Sequence, residues 1–267
     1  MLHRDIDRLK SYRYEAAASN PPGSMPHLQL ALVAFSAFLG ATTQRVTGLG
    51  FALVASPLLI LVLGPFQGVL LANLLTLVLN AVVLAGTWRA AEPRRLALLV
   101  PAALVAVQLG APVARLIPAA WLLTIIGTLV FLALLSVLLL KNVALFKGKA
   151  GALAAGALSG FMNVTAGVGG PAITLYAVGT AWDQAKFVAS MQVYFGALNL
   201  ASVAEKGLPH LPLAAVPLLG VALLTGLGLG QILNRRIPAK QARQGVLFLA
   251  LAGSGATIVK GALLLAH

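Results

Sequence analysis

The side chains best suited to holding a ligand gather in two short polar stretches, each set between apolar runs. The first reads Thr42-Thr43-Gln44-Arg45-Val46-Thr47-Gly48-Leu49-Gly50-Phe51, and the second Asn163-Val164-Thr165-Ala166-Gly167-Val168-Gly169-Gly170-Pro171. Glycine lets a backbone turn sharply and approach a ligand closely, and the free amides of a helix beginning just after the turn favour negative charge. Gly48, Gly50, Gly167, Gly169 and Gly170, with Thr43, Gln44, Thr47, Asn163 and Thr165 beside them, therefore suit a small anion. The competing reading of the glycines is close helix packing through small residues.

Arg45 is the only Arg or Lys in the first stretch. An ionisable group at membrane depth is by default functional, so Arg45 is a candidate anion ligand; the alternative is that it snorkels to an interface. The six carboxylates, Asp5, Asp7, Glu15, Glu92, Asp183 and Glu205, all fall in the N-terminal tail or between apolar runs. Cation transport relies on intramembrane Asp or Glu, so this distribution favours an anionic substrate. Four amides stand in a further pair of segments, Asn73 and Asn80 in one, Gln192 and Asn199 in the other. Each pair is seven residues apart, two helical turns, and so shares a face. Lining a cavity and hydrogen bonding between helices are both open to them. Lys186 is either a charge at the mouth of the pathway or an ordinary cytoplasmic base.

The elements that must position these residues are membrane helices. Sixty per cent of the 267 residues are apolar and nine per cent charged, too little charge to cover a soluble domain. The run Trp121 to Leu140 carries no charge over about 20 residues, enough to cross a hydrocarbon core of about 30 Å. A net charge of +13 would point to nucleic acid in a soluble chain, but here Arg89, Arg94, Arg95, Lys141, Lys147, Lys149, Arg235, Arg236, Lys240 and Arg243 sit in short loops between apolar runs. That is the positive-inside pattern. Apolar runs fall at Leu28–Val46, Gly48–Leu63, Val69–Trp88, Leu96–Leu116 and Trp121–Leu140, then at Ala150–Ala166, Gly167–Gly179, Phe187–Ala204, Leu211–Leu233 and Val246–Leu265.

The second five segments repeat the first. A shift of 119 positions sets Gly48 on Gly167, Gly50 on Gly169, Gln44 on Asn163 and Asn80 on Asn199. Further on, Pro101 falls on Pro217, Gly110 on Gly226, and Ile117-Pro118 on Ile237-Pro238 at slightly different shifts. Glycine, proline and amides carry the match, which argues for a true repeat. Five segments is an odd number, so the second copy must be inverted, the arrangement common in secondary transporters. The expected fold is an all-α integral membrane protein of about 8–10 helical segments, among them two short or re-entrant glycine hairpins. It divides into a poorly ordered tail (1–27), a first repeat (28–140), a basic linker (141–149) and a second, inverted repeat (150–267). Placing the loops at 87–95, 141–149 and 234–243 in the cytoplasm leaves both termini outside, with Arg115 and Lys206 the bases of the outer loops.

These stretches carry a family resemblance. The glycine-rich turn followed by proline (GLGFALVASP and GVGGP), the basic loop, and the glycine-spaced segments VPAALVAVQLGAPVARLIP and VPLLGVALLTGLGLGQILNRRIP resemble the sulfite exporter TauE/SafE family, also called the toluene sulfonate uptake permeases. The resemblance covers nearly the whole chain after the tail. It implies an inverted-repeat transporter moving sulfite or organosulfonate-like anions. Where the family usually has three adjacent glycines, this chain has GLGF and GVGG.

The leading expectation is thus a secondary transporter of the cell membrane that holds a small sulfur-containing or organic anion between the two glycine stretches and works by alternating access. A passive anion channel or a non-transporting membrane scaffold is the alternative. An intramembrane enzyme is disfavoured, because the chain has no HExxH, no GxSxG and no pair of membrane carboxylates. With no cysteine there is neither a disulfide framework nor a thiolate metal site, and no cofactor is expected. The expected partners are the anion and the lipid bilayer, with nucleic acid excluded.

Overall fold

The computed structural model describes residues 25–48, 50–139 and 147–266. The tail up to residue 24, Leu49 within the first glycine stretch, and residues 140–146, with Lys141, lie outside the described residues. Ten α-helices follow one another: α1 His27–Thr47, α2 Gly50–Leu63, α3 Pro65–Thr87, α4 Pro93–Leu116, α5 Ala119–Leu139, α6 Gly148–Ala166, α7 Gly170–Gly179, α8 Gln184–Lys206, α9 Ala215–Arg236 and α10 Ala239–Ala266. Among the described residues there is no strand. Among the described residues five helices, in α3, α4, α8, α9 and α10, are long and apolar enough to cross a bilayer. Val105 and Leu109 of α4, Val221 and Leu224 of α9 and Phe248 of α10 point outward, where lipid would take them. The chain is an all-α integral membrane protein.

Proline and glycine set the boundaries. Pro65 and Pro93 occupy the first turns of α3 and α4, where a missing N–H costs nothing. Gly48 and Gly167 end α1 and α6 in the left-handed region, at φ +83° and +70°, and their N–H groups close the last turn onto the carbonyls of Gln44 and Asn163. A side chain there would be strained, which is why glycine ends these helices. The helices that follow are short. α2 has 14 residues and α7 has 10, about 21 Å and 15 Å, less than the hydrocarbon thickness.

Three buried clusters hold the bundle together. One joins α1, α2 and α3 with α9 through Ala37, Phe51, Leu71 and Leu219. A second joins α6, α7 and α8 with α4 through Ala155, Ile173, Tyr194 and Leu99. The third runs between α5 and α10, with Ile60, Val69 and Ala166 against it. Exchanging α1–α5 with α6–α10 turns the first cluster into the second and maps the α5–α10 pairing onto itself.

Lipid is as apolar as leucine, so these helices associate by close backbone approach. On α6, Gly156 and Gly160 lie against the carbonyls of Leu99 and Ala103 of α4; on α9, Gly226 and Gly230 lie against those of Phe38 and Thr42 of α1. A Cβ at Gly226 or Gly230 would stand only 2.5 and 2.6 Å from those oxygens. Small-residue packing accounts for these four glycines, and also for Gly68 of α3, Gly127 of α5 and Gly261 of α10, whereas Gly48 and Gly167 serve the backbone turn.

Lys206 departs from expectation. It ends α8 and is only 9 % exposed, so it is not a base of an outer loop. The helix continues past Ala204, because Lys206 reaches back into the bundle and its ammonium donates to the carbonyl of Val164.

Candidate functional site

The site is built from the two glycine turns and the helices α3 and α8 that run between them. α3 and α8 are antiparallel neighbours. Phe66 at the start of α3 lies 5.7 Å from the Lys206 ammonium at the end of α8, while Ser190 near the start of α8 accepts from the Glu92 N–H beyond the end of α3. The turn at Gly48 meets α8 at Gln192, whose Nε2 points at the Gly48 carbonyl from 3.5 Å. The turn at Gly167 meets it near Asn199, whose Oδ1 accepts from Asn163 Nδ2 at 2.9 Å. Seven residues of helix separate these two levels, about 10 Å.

A small cavity opens between the turns. It is lined by Gln44, Ala52, Leu53, Thr76, Asn80, Asn163, Gly170 and Phe195, with room for little more than one water molecule in this conformation. Each wall has a different origin. Gln44 comes from the last turn of α1, Ala52 and Leu53 from the first turn of α2, Thr76 and Asn80 from α3, Asn163 from α6, Gly170 from the first position of α7, and Phe195 from α8. The starts of both short helices thus reach one space, and the first N–H groups of a helix have no partner within it.

Of the residues expected to bind, the cavity brings together Gln44, Asn80, Asn163 and Gly170. Gln44 Oε1 accepts from the Phe51 N–H at 3.1 Å, closing the first turn of α2. Asn80 is 3 % exposed, and its Nδ2 has no partner. Asn73, Gln192 and Asn199 are buried but do not line the cavity; both amide atoms of Asn73, Gln192 Oε1 and Asn199 Nδ2 are without partners. Thr43, Thr47 and Thr165 turn their hydroxyls back onto the carbonyls of Gly40, Thr43 and Phe161. Gly50 and Gly169 allow the chain to lie against the carbonyls of Thr43 and Ser159, each at 2.7 Å from a would-be Cβ. The Gly167 carbonyl accepts from Ser56 Oγ at 3.0 Å.

Arg45 is placed elsewhere. Its side chain is exposed, and Nε donates to Gln231 Oε1 of α9 at 2.5 Å. The lining contains four residues that sequence reasoning missed: Ala52, Leu53, Thr76 and Phe195. Thr76 had a legible signal, since Asn73, Thr76 and Asn80 fall at i, i+3 and i+7 on one helical face.

One end of α8 carries an ion-pair cluster. Glu92 bonds Arg95 at 3.0 Å and Lys186 at 3.3 Å, and Arg95 also donates to Thr180 Oγ1 at 3.0 Å with its guanidinium 4.6 Å above the Trp182 ring. Lys186 is therefore engaged with a carboxylate rather than free at the mouth. Among the described residues no three His, Asp or Glu side chains come close enough to hold a metal ion.

The lining is neutral. It offers amide and hydroxyl groups and two helix starts, and it contains neither a carboxylate nor a cation. Helix starts attract an anion and repel a cation, so the arrangement suits an oxyanion held by fixed dipoles. The family model for the sulfite exporter TauE/SafE matches residues 33–257. The chain belongs to the sulfite exporter TauE/SafE family. Every residue of the cavity lies within the matched stretch. Membership makes the chain a multi-pass membrane protein of a transporter family whose cargo is sulfite and related sulfur anions. Comparison with curated proteins and with solved structures gives no match.

Proposed function

We propose that this chain is a secondary transporter that binds a sulfur oxyanion, sulfite or an organosulfonate, in the cavity between the Gly48 and Gly167 turns, and exposes it alternately to the two sides of the cell membrane. The observation that carries the reading is the composition of that cavity: the starts of two short helices, unpartnered amide hydrogens on Asn80, and no carboxylate among its walls. A trigonal or tetrahedral oxyanion accepts several hydrogen bonds at once. Neutral donors can supply them without the cost of burying a permanent cation, as long as the donors are already oriented. Pairing with Asn199 fixes Asn163, and the Phe51 amide fixes Gln44.

Alternation is supported by how the two halves are built, residues 28–140 and 150–267. α3 and α8 run in opposite directions, and the helix clusters exchange when the halves are exchanged. In such a pair, rocking one half on the other opens either face around a fixed site. The basic stretches at 87–95, 141–149 and 234–243 then lie in the cytoplasm and both termini outside; Arg94, Arg95, Lys149, Arg235, Arg236, Lys240 and Arg243 stand in the end turns of helices, not in loops.

Counterflow in proteoliposomes tests the proposal. Vesicles loaded with unlabelled sulfite should accelerate uptake of labelled sulfite, and a sulfonate should compete where a simple carboxylate does not. Uptake without exchange acceleration would make the protein a passive anion channel, and no uptake of any anion would leave a membrane scaffold.

A further inference from the structure

The cavity does not end the polar path along α8. Phe195 lines the cavity, and Asn199, Ser202 and Lys206 follow it at intervals of four, three and four residues, one continuous stripe on the helix. All four are more than nine-tenths buried. Asn163 bridges the first steps, donating to Asn199 at 2.9 Å and approaching Ser202 Oγ at 3.5 Å, while Asn199 Nδ2 has no partner.

At the end of the stripe stands a buried ammonium without a counter-charge. Lys206 donates to the Val164 carbonyl in the last turn of α6 and lies 5.7 Å from the Phe66 ring. Among the described residues both ion pairs are made by Glu92, at the opposite end of α8, and none by Lys206. Arg115 adds positive charge nearby, its guanidinium donating to the carbonyl of Glu205, whose own side chain is partly exposed. Capping the end of α6 accounts for one of the three ammonium hydrogens. A buried ammonium left otherwise uncompensated is costly, so such a lysine keeps its proton only when an anion sits beside it, and a mobile anion is what a transport pathway offers.

We propose that Lys206 is a second anion station, holding the transported oxyanion between the central cavity and the membrane face at which α8 ends. This rests on the anion-transporter reading. The lysine draws the anion in from that face, and the unpartnered Asn199 amide hands it to Asn163 and the cavity.

Equilibrium dialysis of the purified full chain with labelled sulfite, paired with uptake by proteoliposomes, tests it. Wild type should bind two equivalents. Lys206→Met should keep one and show an uptake KM raised about tenfold or more, the scale of a lost hydrogen bond to a charged group. Lys206→Arg should keep both, and Asn80→Leu should lose the cavity equivalent and retain the one at Lys206. If wild type binds one equivalent, and Asn80→Leu abolishes it, Lys206 is only the cap of α6 and the proposal is overturned, whether or not Lys206→Met folds. An unchanged KM in folded Lys206→Met overturns it equally. If wild type binds no sulfite at all, the transporter reading itself fails.

Discussion

Replacing Asn80 with leucine should weaken anion binding and, at the same time, leave the empty protein at least as stable. Asn80 is 3 % exposed, lines the cavity, and its Nδ2 has no partner. Leucine branches at the same carbon and has the same number of side-chain heavy atoms as asparagine, and its bulkier methyl groups can extend into the cavity, so the substitution removes a buried unpartnered donor without leaving a hole. An unsatisfied buried polar group costs about 1–3 kcal/mol; removing it should raise the melting temperature of the unliganded protein in detergent. A hydrogen bond to a charged acceptor contributes about 1.5–3 kcal/mol, so the dissociation constant for sulfite should rise roughly 10- to 150-fold. Isothermal calorimetry and thermal melts on one preparation read both quantities. Asn163→Leu is the contrast. It breaks the bond to Asn199 Oδ1 and should lower stability as well as affinity. If Asn80→Leu bound sulfite as tightly as wild type, or lost stability as Asn163→Leu does, the amide would be part of the scaffold and not of the site.

Other substitutions test the remaining geometry. Gly48→Ala forces a Cβ into φ +83° and to 2.9 Å from Val188 Cγ2; it should cost roughly 1–2 kcal/mol of stability, read by melting. Gly160→Leu drives a side chain into the Ala103 backbone of α4, and should abolish folded expression where Gly228→Leu, in open space, is tolerated. Arg45→Gln should change sulfite affinity by less than about threefold, with any residual effect vanishing at high salt, because the guanidinium is exposed and bonded to Gln231. Glu92→Gln loses two partly exposed ion pairs and should cost under about 1 kcal/mol by melting.

Much of this fold was legible because membrane helices announce themselves. Apolar runs broken by Gly, Pro and charge mark segments that match the ten helices of the described residues, most of them to within a few residues, although α10 begins at Ala239, well before its run at Val246. Left-handed turns fall at Gly48 and Gly167, which the internal match sets on one another. The site was legible only in part. Gln44 and Arg45 are neighbours in sequence, but a helix turns about 100° per residue, so one faces the cavity and the other faces α9; polarity alone gave no way to separate them. Ala52, Leu53 and Phe195 are apolar walls, indistinguishable in sequence from the lipid-facing residues around them. Lys206 stands where the apolar run fades, the pattern of a loop base, yet it is buried. Lys260, inside α10, donates to the Leu61 carbonyl at 2.6 Å near the end of α2. A long flexible stem lets each lysine reach a helix end that is distant in sequence, and no local pattern encodes that reach.

Soaking the protein with selenite, a heavier analogue of sulfite, and locating the selenium by anomalous scattering tests the central claim most directly. A selenium peak between Asn80, Asn163 and the starts of α2 and α7 is the predicted result. A peak confined to the outer surface beside Arg45 and Gln231, with the cavity empty at saturating selenite, would contradict it.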